Sequence, residues 1–296
     1  PSDEVTGAVP LLIRDRRGDV PVSDAVFEVY RTIHQYDRGD LKASIDEQDD
    51  TNPGWRLEKV SFQAAYRNER VNALLYLPKN AAPPYQVVVY FPGAYCLDVR
   101  VRPPVEITRY EYLLRSGRAL MYPTYKGTFD RSFGGTFESL RRQPNVWREM
   151  ALEWASDLGR SLDYLETRPD IDAGRMAYLG NSLGAVEGVR LLALNPRLKT
   201  AVLLYGGFWE RGWPPAEVDS FHFAPRVRAP VLMVNGRDDF IFPLATSQTP
   251  LFRLLGAPQK DKRHFVVNGG HGPMSQEIIR EILAWLDRYL GPVNRQ

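Results

Sequence analysis

From residue 86 onward, short runs rich in valine and leucine alternate with longer amphipathic stretches. Residues 86–91, 118–122, 175–179, 200–205, 231–235 and 264–267 read as strands, largely apolar on both faces. Residues 105–115, 146–166, 183–194, 245–255 and 275–290 read as helices. The long 146–166 stretch carries Trp147, Met150, Trp154, Leu158, Leu162 and Leu165 largely on one side. Repeated strand–helix units of this kind predict an α/β fold, a doubly wound and mostly parallel sheet with helices on both faces. Ahead of them, residues 57–65 and 71–77 are β-rich and separated by Arg67-Asn68-Glu69-Arg70, which reads as a hairpin.

Residues 1–55 differ in character, being polar and broken by glycine and proline. One helix is expected there, over 23–36, with Ser23 as N-cap and Val26, Phe27, Val29, Tyr30 and Ile33 as its apolar stripe. The acidic 46–50 stretch, followed by Asn52-Pro53-Gly54, reads as a loop. The expected organisation is an N-terminal extension, 1–55, packed on a main domain, 56–296.

A net charge of +2 gives no reason to expect nucleic acid or an anionic membrane as partner. Cys96 is the only cysteine, so neither an internal disulfide nor a cysteine-based metal site is expected. No apolar run approaches the roughly 20 residues of a spanning helix. These features fit a cytoplasmic protein. The chain starts at Pro1 rather than Met, which leaves a removed leader or excision from a larger protein open, as oligomeric state is open too.

The chemistry is concentrated in Gly180-Asn181-Ser182-Leu183-Gly184, a G-x-S-x-G pattern between a predicted strand and a predicted helix. A turn there needs little bulk two residues either side of the serine, because strand and helix backbones approach closely. Ser182 then stands at the carboxyl end of a strand, where open α/β sheets bind ligands, with the Leu183 N–H as an oxyanion donor at a helix N-terminus.

A serine hydroxyl needs a base. Of four histidines, His34 lies in the N-terminal extension and reads as surface or satisfied core, and His264 lies within a strand and reads as structural. His222 lies in a predicted loop as a pocket candidate. His271 sits in Asn268-Gly269-Gly270-His271-Gly272-Pro273, a glycine-rich loop without a packing role, and is the expected base. Its orienting carboxylate is expected from Asn235-Gly236-Arg237-Asp238-Asp239, where adjacent side chains point apart and only one aspartate can face the imidazole. The residues alone do not choose between Asp238 and Asp239.

The order Ser…Asp…His, "DAGRMAYLGNSLGA" around the serine and "GGHG" at the histidine resemble the α/β-hydrolase superfamily. Within it the chain resembles the dienelactone hydrolase, acetyl xylan esterase and prolyl oligopeptidase-like branch, over residues 57–290. The branch's G-x-x-D-x-x-V-P pattern matches Gly236, Asp239 and Pro243, with Phe242 in place of valine, so the resemblance implies Asp239 as the acid. "EKVSFQAAYRNERVNALLYLPKN" and "MYPTYKGTFDR" are similar to hydrolase modules that follow bacterial serine/threonine kinase domains, although no kinase motif is present.

There are two departures from the branch. Dienelactone hydrolases use cysteine as nucleophile where this chain has Ser182, which argues against that particular activity. The usual His-Gly after the third strand is replaced in Phe91-Pro92-Gly93-Ala94-Tyr95, so by position Ala94 N–H is the second oxyanion donor and Tyr95 N–H the next. Tyr95, Tyr125, Phe208, Trp209 and Trp213 are further pocket candidates, with ordinary packing an equal reading for each. No metal or cofactor is expected. The implied activity is serine hydrolysis of a small carboxylic ester, with water as co-substrate. A small-peptide peptidase of prolyl oligopeptidase-like type and a non-catalytic sensory module on the same scaffold are the alternatives.

Overall fold

A computed structural model describes residues 16, 18–103, 105–210, 214–272 and 274–293; the expectations for Trp213 and Pro273 lie outside the described residues. The strands are β1 (Ser44–Asp49), β2 (Trp55–Gln63), β3 (Arg70–Pro78), β4 (Tyr85–Phe91), β5 (Ala119–Pro123), β6 (Ile171–Asn181), β7 (Leu198–Leu204), β8 (Val231–Gly236) and β9 (Lys262–Val267). They form one nine-stranded sheet in the order β1-β2-β3-β5-β4-β6-β7-β8-β9. β1, β2, β3 and β5 pair antiparallel, and β5-β4-β6-β7-β8-β9 pair parallel. This mixed sheet, clad by helices, is an α/β-hydrolase fold.

The helices are α1 (Asp24–Ile33), α2 (Val105–Arg115), α3 (Phe137–Arg141), α4 (Pro144–Glu166), α5 (Leu183–Leu194), α6 (Ser220–Phe223), α7 (Thr249–Leu254) and α8 (Gln276–Leu290). The interior strands are apolar on both faces because both faces are covered: Val87, Val88 and Val89 of β4 and Met176, Ala177 and Tyr178 of β6 are fully buried. The predicted helix over 245–255 is two pieces, a π-type turn at Leu244–Gln248 and then α7. Gln248, in that turn, is buried and donates to the carbonyls of Gly236 (2.9 Å) and Phe242 (2.7 Å), bracing the segment after β8.

The 46–50 stretch is not the loop its composition suggests. Residues 44–49 form β1, paired with β2 at the sheet's edge, with every residue exposed. Backbone pairing and polar side-chain links such as Lys59–Glu47 (2.6 Å) and Gln48–Glu58 (3.3 Å) hold this strand, and no apolar alternation announces it.

α1 starts as expected, Ser23 Oγ accepting from Val26 N–H at 3.4 Å. Its stripe is narrower than predicted: Phe27 is buried against Phe223, ring centres 5.4 Å apart, while Val26 and Val29 stay exposed. Arg226 ties the same segment down, bonding Val22 O (2.7 Å) and Asp24 (2.6 Å). Arg16 lies over the rings of Phe208 and Phe221 and pairs with buried Asp219 at 2.8 Å.

His34 caps α1 in the core, its Nδ1 bonding Tyr30 O at 2.7 Å. Burial, aided by the positive field of Arg190, pushes its pKa down to about 3. An unfolded imidazole binds its proton near 6.5. Protons therefore favour the unfolded chain within that window: stability is complete above about pH 6.5 and falls as pH drops toward 3. The expected cost is about 2 kcal/mol at pH 5. Urea midpoints at pH 7 and pH 5 should separate further for the native chain than for His34→Gln, and equal shifts would refute this account. His264 on β9, also pushed down by burial, to about 4, adds a second acid-sensitive site that the variant retains.

Candidate active site

β6 ends at Asn181 and α5 begins at Leu183, so Ser182 alone makes the turn, at φ +53° and ψ −109°. A non-glycine residue in that conformation is strained and must be held by its surroundings. Ser182 N–H donates to Leu204 O at 2.8 Å, and Gly184 N–H to Pro92 O at 3.0 Å. A methyl group at Gly180 would overlap the Gly184 carbonyl, and one at Gly184 would overlap the Phe91 carbonyl. The two glycines are there because the backbones of β6, α5 and the loop after β4 meet at this point. Gly184→Ala should cost about 3 kcal/mol or more in denaturant unfolding. The same change at exposed Gly174 should cost far less; equal losses would show that the crossing is not tight.

The acid and base loops are laced together. Arg237 N–H donates to Val267 O (2.8 Å) and Asp238 N–H to Gly269 O (3.0 Å). Gly236 permits this approach, since a Cβ there would overlap the carbonyls of Gly269 and Gly270. The lacing leaves Asp238 exposed and turns Asp239 inward, where it is buried. Asp239 Oδ1 accepts from Ile241 N–H (2.9 Å) and Phe242 N–H (3.1 Å), fixing the carboxylate plane. Its Oδ2 lies 2.7 Å from His271 Nδ1, and His271 Nε2 lies 2.9 Å from Ser182 Oγ. An ionised carboxylate only accepts, so Nδ1 carries the proton and Nε2 is left to accept from the serine hydroxyl. Gly269 and Gly272, at φ +125° and +101°, let the loop present the ring between them.

Ala94 begins a single 3-10 turn, Ala94–Leu97, directly after Gly93. A Cβ at Gly93 would sit 3.5 Å from Ser182 Cβ, so this turn lies against the serine. Among the described residues, neither Ala94 N–H nor Leu183 N–H is used by a protein acceptor. Cys96, in the same turn, is fully buried, and burial pushes its thiol pKa well above the ordinary value.

The pocket candidates divide. Trp209 is partly exposed, and its ring lies 5.0 Å from that of Phe242, which is 5.9 Å from the His271 ring. Tyr95 is partly exposed on the turn beside the serine. Tyr125 and Phe208 are packing residues instead: Tyr125 is fully buried, stacked on Phe91 at 4.0 Å, and Phe208 is buried under Phe221 and Arg16. His222 lies on α6, not in a loop, and is engaged by the N-terminal segment. Its Nδ1 accepts from Val22 N–H at 3.3 Å and its ring faces Tyr30.

The sequence reading missed two neighbours of the imidazole. Tyr205, at φ +55°, sets its ring edge-on to His271 at 5.7 Å, and burial with the nearby Asp239 charge pushes its pKa up to about 12. Arg109 on α2 donates to Gly272 O and pins the histidine loop from outside. Only Tyr205 had a local signal, its place before Gly206-Gly207 at a strand end. Among the described residues, no group of three His, Cys, Asp or Glu side chains is placed to hold a metal ion, and no helix is long and apolar enough to cross a membrane.

The chain superposes on acetyl xylan esterase 1 from a Thermoanaerobacterium species with TM-score 0.71 and 17% identity, covering 91% of this chain and 95% of that one. An uncharacterized protein of Mycobacterium tuberculosis is 33% identical over 149 residues, 46% of this chain and 52% of the relative. Cutinase 2 of Thermobifida cellulosilytica is 26% identical over 147 residues, 46% of this chain and 51% of the relative. The chain thus spans about half the length of the curated relatives it matches. The sequence signature of the Dienelactone hydrolase family matches residues 71–253, more than half of the chain, and the chain belongs to that family.

Proposed function

We propose that the protein is a serine hydrolase that cleaves small carboxylic esters through an acyl-enzyme. The unbroken chain from Ser182 Oγ to His271 (2.9 Å) to Asp239 (2.7 Å) carries this reading. His271 Nε2 takes the hydroxyl proton as Ser182 attacks the ester carbonyl, and returns it to the departing alcohol. Asp239 holds the productive tautomer and stabilises the imidazolium. The N–H groups of Leu183 and Ala94, with Tyr95 next along, receive the oxyanion, each worth roughly 3 to 4 kcal/mol in comparable enzymes. Water, activated by the same imidazole, then releases the acid.

The aromatic wall of Trp209 and Phe242 beside His271 favours an ester with an apolar portion. Phe240 and Ile241, exposed on the same loop, widen that apolar margin. The cutinase and acetyl xylan esterase names among the relatives support an ester rather than a peptide substrate.

A fluorophosphonate probe should label Ser182 stoichiometrically and stop hydrolysis of an aryl acetate, with an aminoacyl anilide turned over far more slowly. An unlabelled, inactive protein would leave a non-catalytic scaffold. Faster turnover of the anilide would make the protein a peptidase.

A further inference from the structure

We propose that a cavity between the β2–β3 hairpin and the start of α2 is a second ligand site. It takes an organic monocarboxylate with an aryl or alkyl body, the carboxylate on Arg102 and the body on the surrounding rings. The cavity is about 550 Å³, within the range of small-molecule sites. Its apolar lining is Trp55, Leu57, Leu74, Tyr76, Ile107 and Tyr122, and neither Ser182 nor His271 lines it. Tyr122's hydroxyl lies 3.4 Å from that of Tyr95, which puts the cavity behind the turn that flanks the serine.

Arg102 is what makes this cavity more than an apolar hollow. Its guanidinium lies over the Tyr122 ring at 3.9 Å and spends one N–H on Thr124 Oγ1 at 2.7 Å. Its Nε is sealed from solvent with no partner, and among the described residues no carboxylate lies within ion-pair distance of the group. A guanidinium has five donors in a planar fork suited to a carboxylate, and withdrawing such a cation from water unpaired is costly. Burial accordingly presses its pKa below the ordinary arginine value. A carboxylate guest would supply the missing counter-charge.

The surroundings also choose the side from which the guest comes. The adjoining cavity, which meets this one at Leu74 and Arg102, sets Asp46, Glu47 and Asp130 among Lys59 and Arg100 and has no aromatic ring in its lining, so it offers an apolar body little cover. On the aromatic side the acidic lining residue is Asp49, whose Oδ1 is already taken by the N–H and hydroxyl of Thr51 at 2.9 and 2.6 Å. An anion with an apolar body therefore meets rings and a cation there, beside a single carboxylate that is hydrogen-bonded to Thr51.

Isothermal titration of the full chain with phenylacetate, phenylacetamide and inorganic phosphate tests this. Phenylacetate should bind at least tenfold more tightly than either of the others. Arg102→Met, which keeps the stem, and Leu74→Trp, which fills the cavity where it meets its neighbour, should each weaken phenylacetate at least tenfold. Trp209→Ala, on the serine side, should leave it unchanged. Thermal melts establish that each variant is folded, and either cavity variant suffices if the other is not. Binding that survives both cavity changes, that is lost with Trp209, or that is matched by phosphate or the amide overturns the proposal. The readout is binding alone, so it stands or falls separately from hydrolysis at Ser182.

Discussion

Ser182→Ala should leave a folded protein whose hydrolysis of an aryl acetate falls by about four to six orders of magnitude. The hydroxyl is the group that His271 Nε2 meets, at 2.9 Å, so on the proposed mechanism removing it deprives the site of its attacking atom. The serine's structural duties belong to its backbone. Its N–H donates to Leu204 O at 2.8 Å, and its carbonyl accepts from Ala185 and Val186 at 2.9 and 3.0 Å, all of which alanine repeats. The strained φ of +53° is borne equally by either residue. Turnover of ester in the variant, with an unaltered thermal midpoint, would remove Ser182 from the mechanism. The activity left over, about a thousandfold above water in comparable enzymes, would come from oxyanion donors and binding.

Asp239→Asn should have the next largest effect, a loss of about 10⁴ in kcat at neutral pH. Oδ1 is fixed by the N–H groups of Ile241 and Phe242, so an asparagine keeps its oxygen there and aims its NH₂ at His271 Nδ1. The imidazole must then accept at Nδ1 and carry its proton on Nε2, the wrong tautomer for taking one from serine. Asp238→Asn, on an exposed side chain one residue away, should change kcat less than twofold. Steady-state kinetics on the pair decide the matter, and a reversed order would put the orienting acid at position 238.

The interior of the sheet was legible because β4 to β8 are buried on both faces and write that burial as continuous apolar runs. The serine turn was legible for a different reason: Gly180 and Gly184 are demanded by backbone overlap, and such demands survive in sequence. The residues' own physics did not choose between Asp238 and Asp239, and only the family pattern pointed to Asp239, because the choice depends on two loops being laced through Asp238 N–H and Gly269 O, contacts between distant segments. β1 was missed since its exposed residues carry no alternation, only ladder pairing and polar side-chain links to β2. Tyr125 and Phe208 show the opposite failure. Their ring chemistry suits a pocket wall and a core equally, and burial alone tells the two apart. Arg102 could be identified only once its lack of a counter-ion was visible in three dimensions.

The margin formed by β1 has a bearing on how the protein behaves when crowded. Open strand flanks invite other chains to extend the ladder, and an apolar one would seed fibres. Here a second copy arriving in the same way would set Asp46, Glu47 and Asp49 against their own counterparts, and Coulomb repulsion would oppose growth from that side.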